Sequence, residues 1–353
     1  MRLLFALCLL ALVDSRPDAL HSSRHGRQCP PLDRGAFNIT QYQLYPENAD
    51  WDEDRCLVWF GALWNASVAV YDPYKDKMVD ILEFPGITNS IPEHIGGVSW
   101  DKHTGLVSIL VDAATPWATN GQDISGDNLL IKYDPSKRQI LWNVNLTATS
   151  QGRYGAFQDV EHDYHGNTYV VGTYPGTIMK VNPSGKKVTP WYLPPRINYT
   201  QKGFSGLAVV ENILLSNDAD GQIYRFDMRK AHGVPVLVRM SPLVTYQGTD
   251  AIYLPPKYGG TVLLVAINRS GVQVVRSKDR KWAACEYLGT IPNPDTPATS
   301  GSVTTGVVQM GSDSIYMIDD WTDLPFVPGQ AAGNRTVFPM VDITENIERL
   351  LAK

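Results

Sequence analysis

A repeated pattern of short β-strands governs what this chain of 353 residues can fold into. Each unit contains four apolar strands, separated by turns rich in Gly, Asp and Pro, and recurs about every 45 to 60 residues. Six copies fit, with first strands that begin near residues 47, 94, 156, 204, 249 and 305. Units of this kind are typical of propeller blades, which leave few strand edges exposed. The sequence therefore predicts an all-β fold, a six-bladed β-propeller.

Composition and charge exclude several classes of function. The chain is 43% hydrophobic and 19% charged, which is enough apolar surface for a core and rules out general disorder. Its formal net charge of -5 argues against nucleic acid as a partner. The sequence contains neither a GxSxG motif nor a phosphate-binding loop, so a serine hydrolase or a nucleotide enzyme is not supported.

The N-terminus has the features of a targeting segment. A basic start, Met1-Arg2, precedes an apolar run over residues 3–13, which is too short to span a bilayer. We expect a signal peptide over residues 1–15, an N-terminal extension over 16–36 and a single propeller domain over 37–353. The predicted localisation is the secretory pathway, with a secreted, vesicular or cell-surface product and no membrane span.

Six Asn-X-Ser/Thr sequons agree with secretion and predict glycan sites on surface loops. They are Asn38, Asn65, Asn145, Asn198, Asn268 and Asn334. Some sequons arise by chance in a chain of this size. Asn65 and Asn268 fall in the loops that we expect around a central pocket, so glycans on both would crowd its mouth.

Three cysteines follow the predicted signal peptide, and their spacing does not suggest a zinc site. A Cys29–Cys56 disulfide would tie the N-terminal segment to the first strands and leave Cys285 as a buried thiol. A Cys56–Cys285 disulfide is the alternative.

Propeller geometry selects candidate site residues. The first strand of each blade begins, and the second ends, on the same face beside the axis, so these positions converge. Candidates for proton transfer are His94, Asp159, Asp250 and Asp320. Candidates for substrate binding are Trp64, Trp117, Gln158, Tyr174, Phe204, Asn217, Thr249 and Trp321. This mixture suits a small lipophilic ligand, and no metal or cofactor is expected.

Some of these residue types also have ordinary structural roles. Aspartates at blade turns, such as Asp112 and Asp319, commonly cap backbone amides. The adjacent Asp319 and Asp320 nevertheless favour one raised carboxyl pKa. We expect Trp51 and Trp100 in the core between blades, and His162 to face solvent.

Three segments, residues 47–73, 155–184 and 203–227, carry a family resemblance through Tyr71-Asp-Pro, the His162-Asp-Tyr-His-Gly-Asn-Thr-Tyr-Val run and Phe204-Ser-Gly-Leu. They resemble a family of secreted fungal six-bladed propellers that includes a lipid-binding yeast allergen and a core trichothecene-cluster protein. Proteins of this type also include the hetero-Diels–Alderases of tropolone–sesquiterpenoid pathways. The resemblance implies a protein that handles hydrophobic small molecules, such as a terpenoid or a polyketide.

The resemblance favours a secondary-metabolite cyclase that works without a cofactor. The leading prediction is a hetero-Diels–Alderase that joins a tropolone-derived quinone methide to a sesquiterpene in the central pocket. The alternatives are a trichothecene-type ring-closing enzyme, a non-catalytic lipid-binding surface protein and a calcium-dependent lactonase. Glu47 and Asp250 match the lactonase layout, whereas Ser205 stands where such enzymes tend to have Asn.

Overall fold

Six β-sheets surround a central channel, which confirms the predicted six-bladed propeller. The computed structural model describes residues 29–295, 301–323 and 325–353. The predicted signal peptide and residues 16–28 of the predicted extension lie outside the described residues. No helix within the described ranges has the length and apolar character that a membrane span requires.

The strands follow the chain from blade to blade, after an N-terminal strand β1 (Phe37–Thr40). Blade one contains β2 (Pro46–Asp52), β3 (Leu57–Ala62), β4 (Ser67–Asp72) and β5 (Lys77–Leu82). Blade two contains β6 (Glu93–Asp101), β7 (Leu106–Ala113), β8 (Leu129–Asp134) and β9 (Gln139–Asn145). Blade three contains β10 (Gly155–His162), β11 (Thr168–Tyr174), β12 (Thr177–Val181) and β13 (Val188–Tyr192).

The second half repeats this order. Blade four contains β14 (Leu207–Val210), β15 (Ile213–Asn217), β16 (Ile223–Asp227) and β17 (Val236–Leu237). Blade five contains β18 (Arg239–Ser241), β19 (Thr249–Tyr253), β20 (Val262–Ile267), β21 (Gly271–Arg276) and β22 (Ala284–Ile291). Blade six contains β23 (Ser302–Met310), β24 (Ser314–Trp321) and β25 (Val337–Asp342). The helices are α1 (Thr115–Ala118), α2 (Leu146–Ser150), α3 (Thr344–Leu351) and a 3₁₀ turn (Pro256–Tyr258).

The N-terminal strand closes the ring. β1 pairs antiparallel with β25, from Phe37 opposite Met340 to Thr40 opposite Val337, and so becomes the outer strand of blade six. The sequence repeat predicts the strand near residues 336–341 but does not identify β1 as its partner. The Cys29–Cys56 disulfide ties the segment before β1 to the turn that follows β2, and Cys285 is a buried free thiol.

Apolar clusters fill the spaces between neighbouring blades. The cluster between blades six and one contains Ile39, Trp51 and Phe338, all at most 3% exposed. Trp100 lies in the cluster between blades one and two. Because a twisted sheet packs only against its neighbours, burial in these clusters is the main stabilising contribution to the ring.

One histidine expectation is wrong. His162 is 5% exposed rather than solvent-facing, because it ends β10 and packs between blades two and three. Its Nε2 lies 2.8 Å from the Ser108 hydroxyl, and the buried Lys132 ammonium donates to that hydroxyl over 3.0 Å. Burial lowers the pKa of His162 to about 3, so the ring is neutral.

We predict that Ile39→Ala destabilises the protein by about 2–4 kcal/mol, because it leaves a cavity where β1 closes the ring. Val79→Ala is the matched control: Val79 also lies in an outermost strand but is 49% exposed. Chemical denaturation measures both variants. Equal stabilities for the two would show that ring closure by β1 contributes little.

Candidate active site

Five β-bulges place side chains at one end of the channel. In five of the six first strands, the register against the second strand shifts near the strand's start. Bulges leave residues without a ladder partner and re-aim their side chains. The residues within these shifts that line the channel are Glu47, Gly96, Gln158, Asp250 and Thr305.

These residues border a cavity of about 320 Å³, which we call the axial pocket. It is lined by Glu47, Leu63, Trp64, His94, Gly96, Asp112, Trp117, Gln158, Lys202, Ser205, Thr249, Asp250, Asn268, Arg269, Val303, Thr305, Asp320 and Thr322. The volume lies near the lower end of the range of about 300–1,000 Å³ typical of small-molecule sites. The structure therefore brings together His94, Asp250, Asp320, Trp64, Trp117, Gln158 and Thr249 from the predicted set.

Asp250 is the carboxyl group with the most hydrogen-bond donors in the axial pocket. Its Oδ1 accepts from Gln158 Nε2, and its Oδ2 accepts from Asn268 Nδ2 over 2.7 Å. Burial raises the pKa of Asp250, but these amides and the Lys202 ammonium oppose the rise. Amide donors favour an ionised carboxylate, so Asp250 is suited to accept a proton.

Glu47 and Asp320 have the opposite environment. Asp320 is 3% exposed, and its Oδ1 has no hydrogen-bond partner among the described residues. Burial raises the pKa of each group well above its usual range, and Asp250 raises both further. A raised carboxyl pKa favours the protonated form, which makes both groups candidate proton donors.

Aromatic side chains form the other wall. The Trp117 indole donates a hydrogen bond to Asp112 Oδ2 over 2.6 Å, and burial still raises the Asp112 pKa to about 7. The Trp64 and His94 rings meet edge to face, 5.1 Å between centroids. Burial lowers the pKa of His94 to about 4, so its ring is neutral and suited to hydrogen bonding rather than to donating a proton as a cation.

Asp159 lies outside the axial pocket, contrary to the prediction. The bulge leaves Gln158 unpaired, whereas Asp159 is paired with Val171 and is 5% exposed. Its carboxylate accepts hydrogen bonds from the backbone N–H groups of Val160 and Leu207, each over 2.8 Å. The group thus joins blades three and four.

Four predicted binding residues also lie outside the axial pocket, because each packs behind its wall. Tyr174 supports the Trp117 ring at 5.8 Å, and Phe204 belongs to the core between blades three and four. The Asn217 side chain accepts a hydrogen bond from the Gly206 backbone N–H and donates one to the Asp250 backbone carbonyl. The Trp321 ring is buried, with the Arg335 guanidinium 3.7 Å from its centroid. The Trp321 backbone carbonyl accepts a hydrogen bond from the Trp64 indole.

The sequons occupy different environments. Asn38, Asn198 and Asn334 are exposed, and Asn145 caps α2. Asn65 donates to the carbonyl of Gln43. Asn268 differs from the expected surface site, because its amide lines the axial pocket and donates to Asp250 and to the Thr304 carbonyl. A glycan there would displace those bonds and fill the pocket.

Lys202 lines the axial pocket although the sequence analysis did not select it. It lies in the long connection between β13 and β14, and its ammonium lies 5.8 Å from the Trp117 ring centre. This connection has no strand periodicity, so its sequence does not indicate which residues face the pocket. Only the positive charge of Lys202 could have suggested that it does.

The lactonase alternative requires a group of calcium ligands. Within residues 29–295, 301–323 and 325–353, no three His, Cys, Asp or Glu side chains converge closely enough to hold a metal ion. The Ser205 hydroxyl occupies the wall where the lactonase layout calls for an amide oxygen. The arrangement gives the calcium alternative no support.

Comparison with known proteins agrees with the predicted resemblance. Residues 26–290 match the model of the family described as Mal s 1 allergenic protein-like. The chain is 36% identical over 340 residues to "Trichothecene biosynthesis protein 14" of Trichoderma arundinaceum, covering 92% of each chain. It is 31% identical over 345 residues to "Core trichothecene cluster (CTC) protein 14" of Fusarium sporotrichioides, covering 92% of this chain and 88% of that one.

A solved structure has the same fold. The major Malassezia sympodialis allergen Mala s 1 superposes with a TM-score of 0.74 at 20% identity, covering 88% of this chain and 96% of the allergen. At that identity, the likeness concerns the fold alone. From the family match and the two curated relatives, we conclude that the chain belongs to the Mala s 1-like family of six-bladed propellers.

Proposed function

We propose that this protein closes an oxygen-containing ring on a trichothecene-type sesquiterpenoid by acid–base catalysis in the axial pocket. The observation that carries the proposal is a contrast within one cavity: Asp320 Oδ1 has no hydrogen-bond partner among the described residues, whereas the Asp250 carboxyl accepts hydrogen bonds from two side-chain amides. Paired groups whose pKa values are pushed apart are typical of acid–base catalysis.

The relatives support a role in secondary metabolism. Two curated proteins named for the trichothecene cluster match more than nine-tenths of this chain. Trichothecenes are oxygenated sesquiterpenoids, so their precursors carry hydroxyl groups on an apolar skeleton. Trp64 and Trp117 provide apolar contacts for such a skeleton, and the carboxyls provide contacts for its oxygens.

The proposed reaction is an intramolecular dehydration. Asp320 gives its proton to one hydroxyl of the substrate, the carbon–oxygen bond to that hydroxyl breaks, and water leaves. Asp250 accepts the proton of a second hydroxyl on the same molecule, whose oxygen forms the new carbon–oxygen bond. One water is lost and the substrate is neither oxidised nor reduced overall, so the step needs no oxidant. Glu47, which interacts with both aspartates, returns the proton from Asp250 to Asp320.

Positioning contributes besides proton transfer. Holding two groups of one molecule in reactive geometry can supply up to about 7–11 kcal/mol of the barrier. A pocket of about 320 Å³ fits one fused-ring molecule better than the two partners of the hetero-Diels–Alder reaction. The volume therefore favours the trichothecene-type alternative over the leading sequence prediction.

We predict that Asp320→Asn lowers the turnover rate at least about 100-fold, because an amide cannot donate the proton to the leaving hydroxyl. Asp80→Asn is the matched control, since Asp80 pairs with Arg138 on the outer face of blade one. Turnover of a dihydroxylated sesquiterpenoid precursor, followed by mass spectrometry, measures both. A normal rate in Asp320→Asn with intact folding contradicts the proposed acid.

The pH dependence gives a second prediction. A proton donor works below its pKa and loses activity as pH rises above it. Because burial raises the pKa of Asp320 well above its usual range, we expect the rate to fall less between pH 5 and pH 6 than it would with an ordinary carboxyl acid. An ordinary carboxyl acid, with a pKa of about 4, would lose about tenfold over that interval. Such a loss would assign the proton donor to an unperturbed group.

Deleting the gene distinguishes an enzyme from a lipid-binding protein. We expect one cyclised product to disappear, or to lose its stereochemical purity, while its hydroxylated precursor accumulates. Chiral chromatography of the metabolites measures the outcome. Accumulation of two separate reactants would instead support the hetero-Diels–Alder reaction, and an unchanged profile would support lipid binding.

A further inference from the structure

A second cavity lies at the opposite end of the channel, where the first strands end. It has a volume of about 430 Å³ and is independent of the chemistry proposed for the axial pocket. We call it the far-face cavity. Its walls come from the ends of β2, β6, β10, β14 and β19 and the turns that follow them.

Aromatic rings form part of the wall. Trp51, Trp100 and Tyr253 line the far-face cavity, and no lysine or arginine of the described residues is positioned over their rings. Trp100 is 8% exposed, and its indole Nε1 has no hydrogen-bond partner among the described residues. A buried indole N–H without a partner is uncommon and indicates a place for a ligand or water acceptor.

The charged groups around the cavity do not balance. They are Asp50, Glu53, Asp101, Glu161, Glu211, Lys102, Arg280, His103 and His162. Glu211 pairs with Arg280 over 3.0 Å, and Asp101 lies 3.7 Å from the buried Lys132. His162 is neutral, as described above. Three carboxyls remain, on Asp50, Glu53 and Glu161, against the exposed Lys102 and the exposed His103, whose pKa burial lowers.

Glu53 is exposed, and of the two half-buried carboxyls Glu161 has fewer hydrogen-bond partners than Asp50. Asp50 accepts hydrogen bonds from the backbone N–H groups of Trp51 and Trp100 and from the Ser99 hydroxyl. Within the described residues, the Glu161 side chain accepts one bond, from the His162 backbone N–H over 3.2 Å. Glu161 therefore has lone pairs available to a ligand in the cavity.

We propose that the far-face cavity binds a small organic ammonium ion, with Glu161 as its counter-ion and Trp100 and Tyr253 as aromatic walls. Carboxylates compensate the charge, and aromatic faces attract a cation within about 6 Å. The carboxyls are not grouped for a metal ion, since no such cluster occurs in the described ranges. The volume accommodates a bulkier cation instead.

The proposal predicts the sign of a pH effect. Burial raises the pKa of Glu161 to about 8 and that of Asp50 to about 7. A bound cation favours the ionised forms, so affinity is highest above these values and falls as the carboxyls take up protons. If the cation lowers one carboxyl pKa by about one unit, affinity rises about tenfold from low to high pH.

Choline is a suitable probe because its charge is permanent, and 3,3-dimethyl-1-butanol is its uncharged isostere. Calorimetric titration of the full folded chain is expected to show choline binding about tenfold tighter near pH 8.5 than near pH 5.5, and no comparable binding of the alcohol. Glu161→Gln is expected to weaken choline binding at high pH at least about fivefold. Glu286→Gln, which changes an acid paired with Arg276 outside the far-face cavity, is the matched control and is expected to bind normally.

The contrary results are distinct. Equal binding of the isostere, unchanged affinity in a folded Glu161→Gln variant, or no choline binding at millimolar concentration would each overturn the proposal. Loss of choline binding in Asp320→Asn but not in Glu161→Gln would place the cation in the axial pocket and would also overturn it. Thermal melting of each variant confirms that it is folded.

Discussion

The pairing of β1 with β25 is the constraint on which the rest of the molecule depends. It brings blade six against blade one, where the cluster containing Ile39, Trp51 and Phe338 excludes water. The same contact sets adjacent walls of the axial pocket, since Glu47 belongs to blade one and Asp320 to blade six. An open ring would separate the two proton donors. Stability and the proposed chemistry therefore rest on one interface.

The bulges give each blade its own contribution to the axial pocket. A regular strand alternates its side chains between two faces, so it presents every second residue to the channel. The register shift at Glu47, and the corresponding shifts at Gln158 and Asp250, add a residue that the ladder does not hold. The cost is a lost ladder bond in each of the five bulged first strands. The benefit is a ring of polar groups around an otherwise apolar cavity.

The strand repeat was sufficient to predict the blades, since its spacing depends on local turn chemistry. The expectation that the starts of first strands and the ends of second strands converge beside the axis also found His94, Asp250 and Asp320, because strand starts and ends are visible in the sequence. It failed at Asp159, which lies deeper in the channel than the axial pocket, where Asn48 of blade one donates a hydrogen bond to its carboxylate. It failed at Phe204, because an aromatic side chain at a strand start can pack between blades instead. Lys202 lies in an unpatterned connection, and β1 pairs over a sequence distance that periodicity does not encode.

Ring closure also has a consequence for the order of synthesis. β1 and β25 are about 300 residues apart in the chain, so a ribosome makes one long before the other. Blades one to five contain all their strands from consecutive sequence and can form as they emerge. Blade six needs β1 to remain unpaired until β25 has been made. A partly made chain thus exposes the unpaired edge of β1, which must be kept from pairing with the wrong blade until β25 emerges.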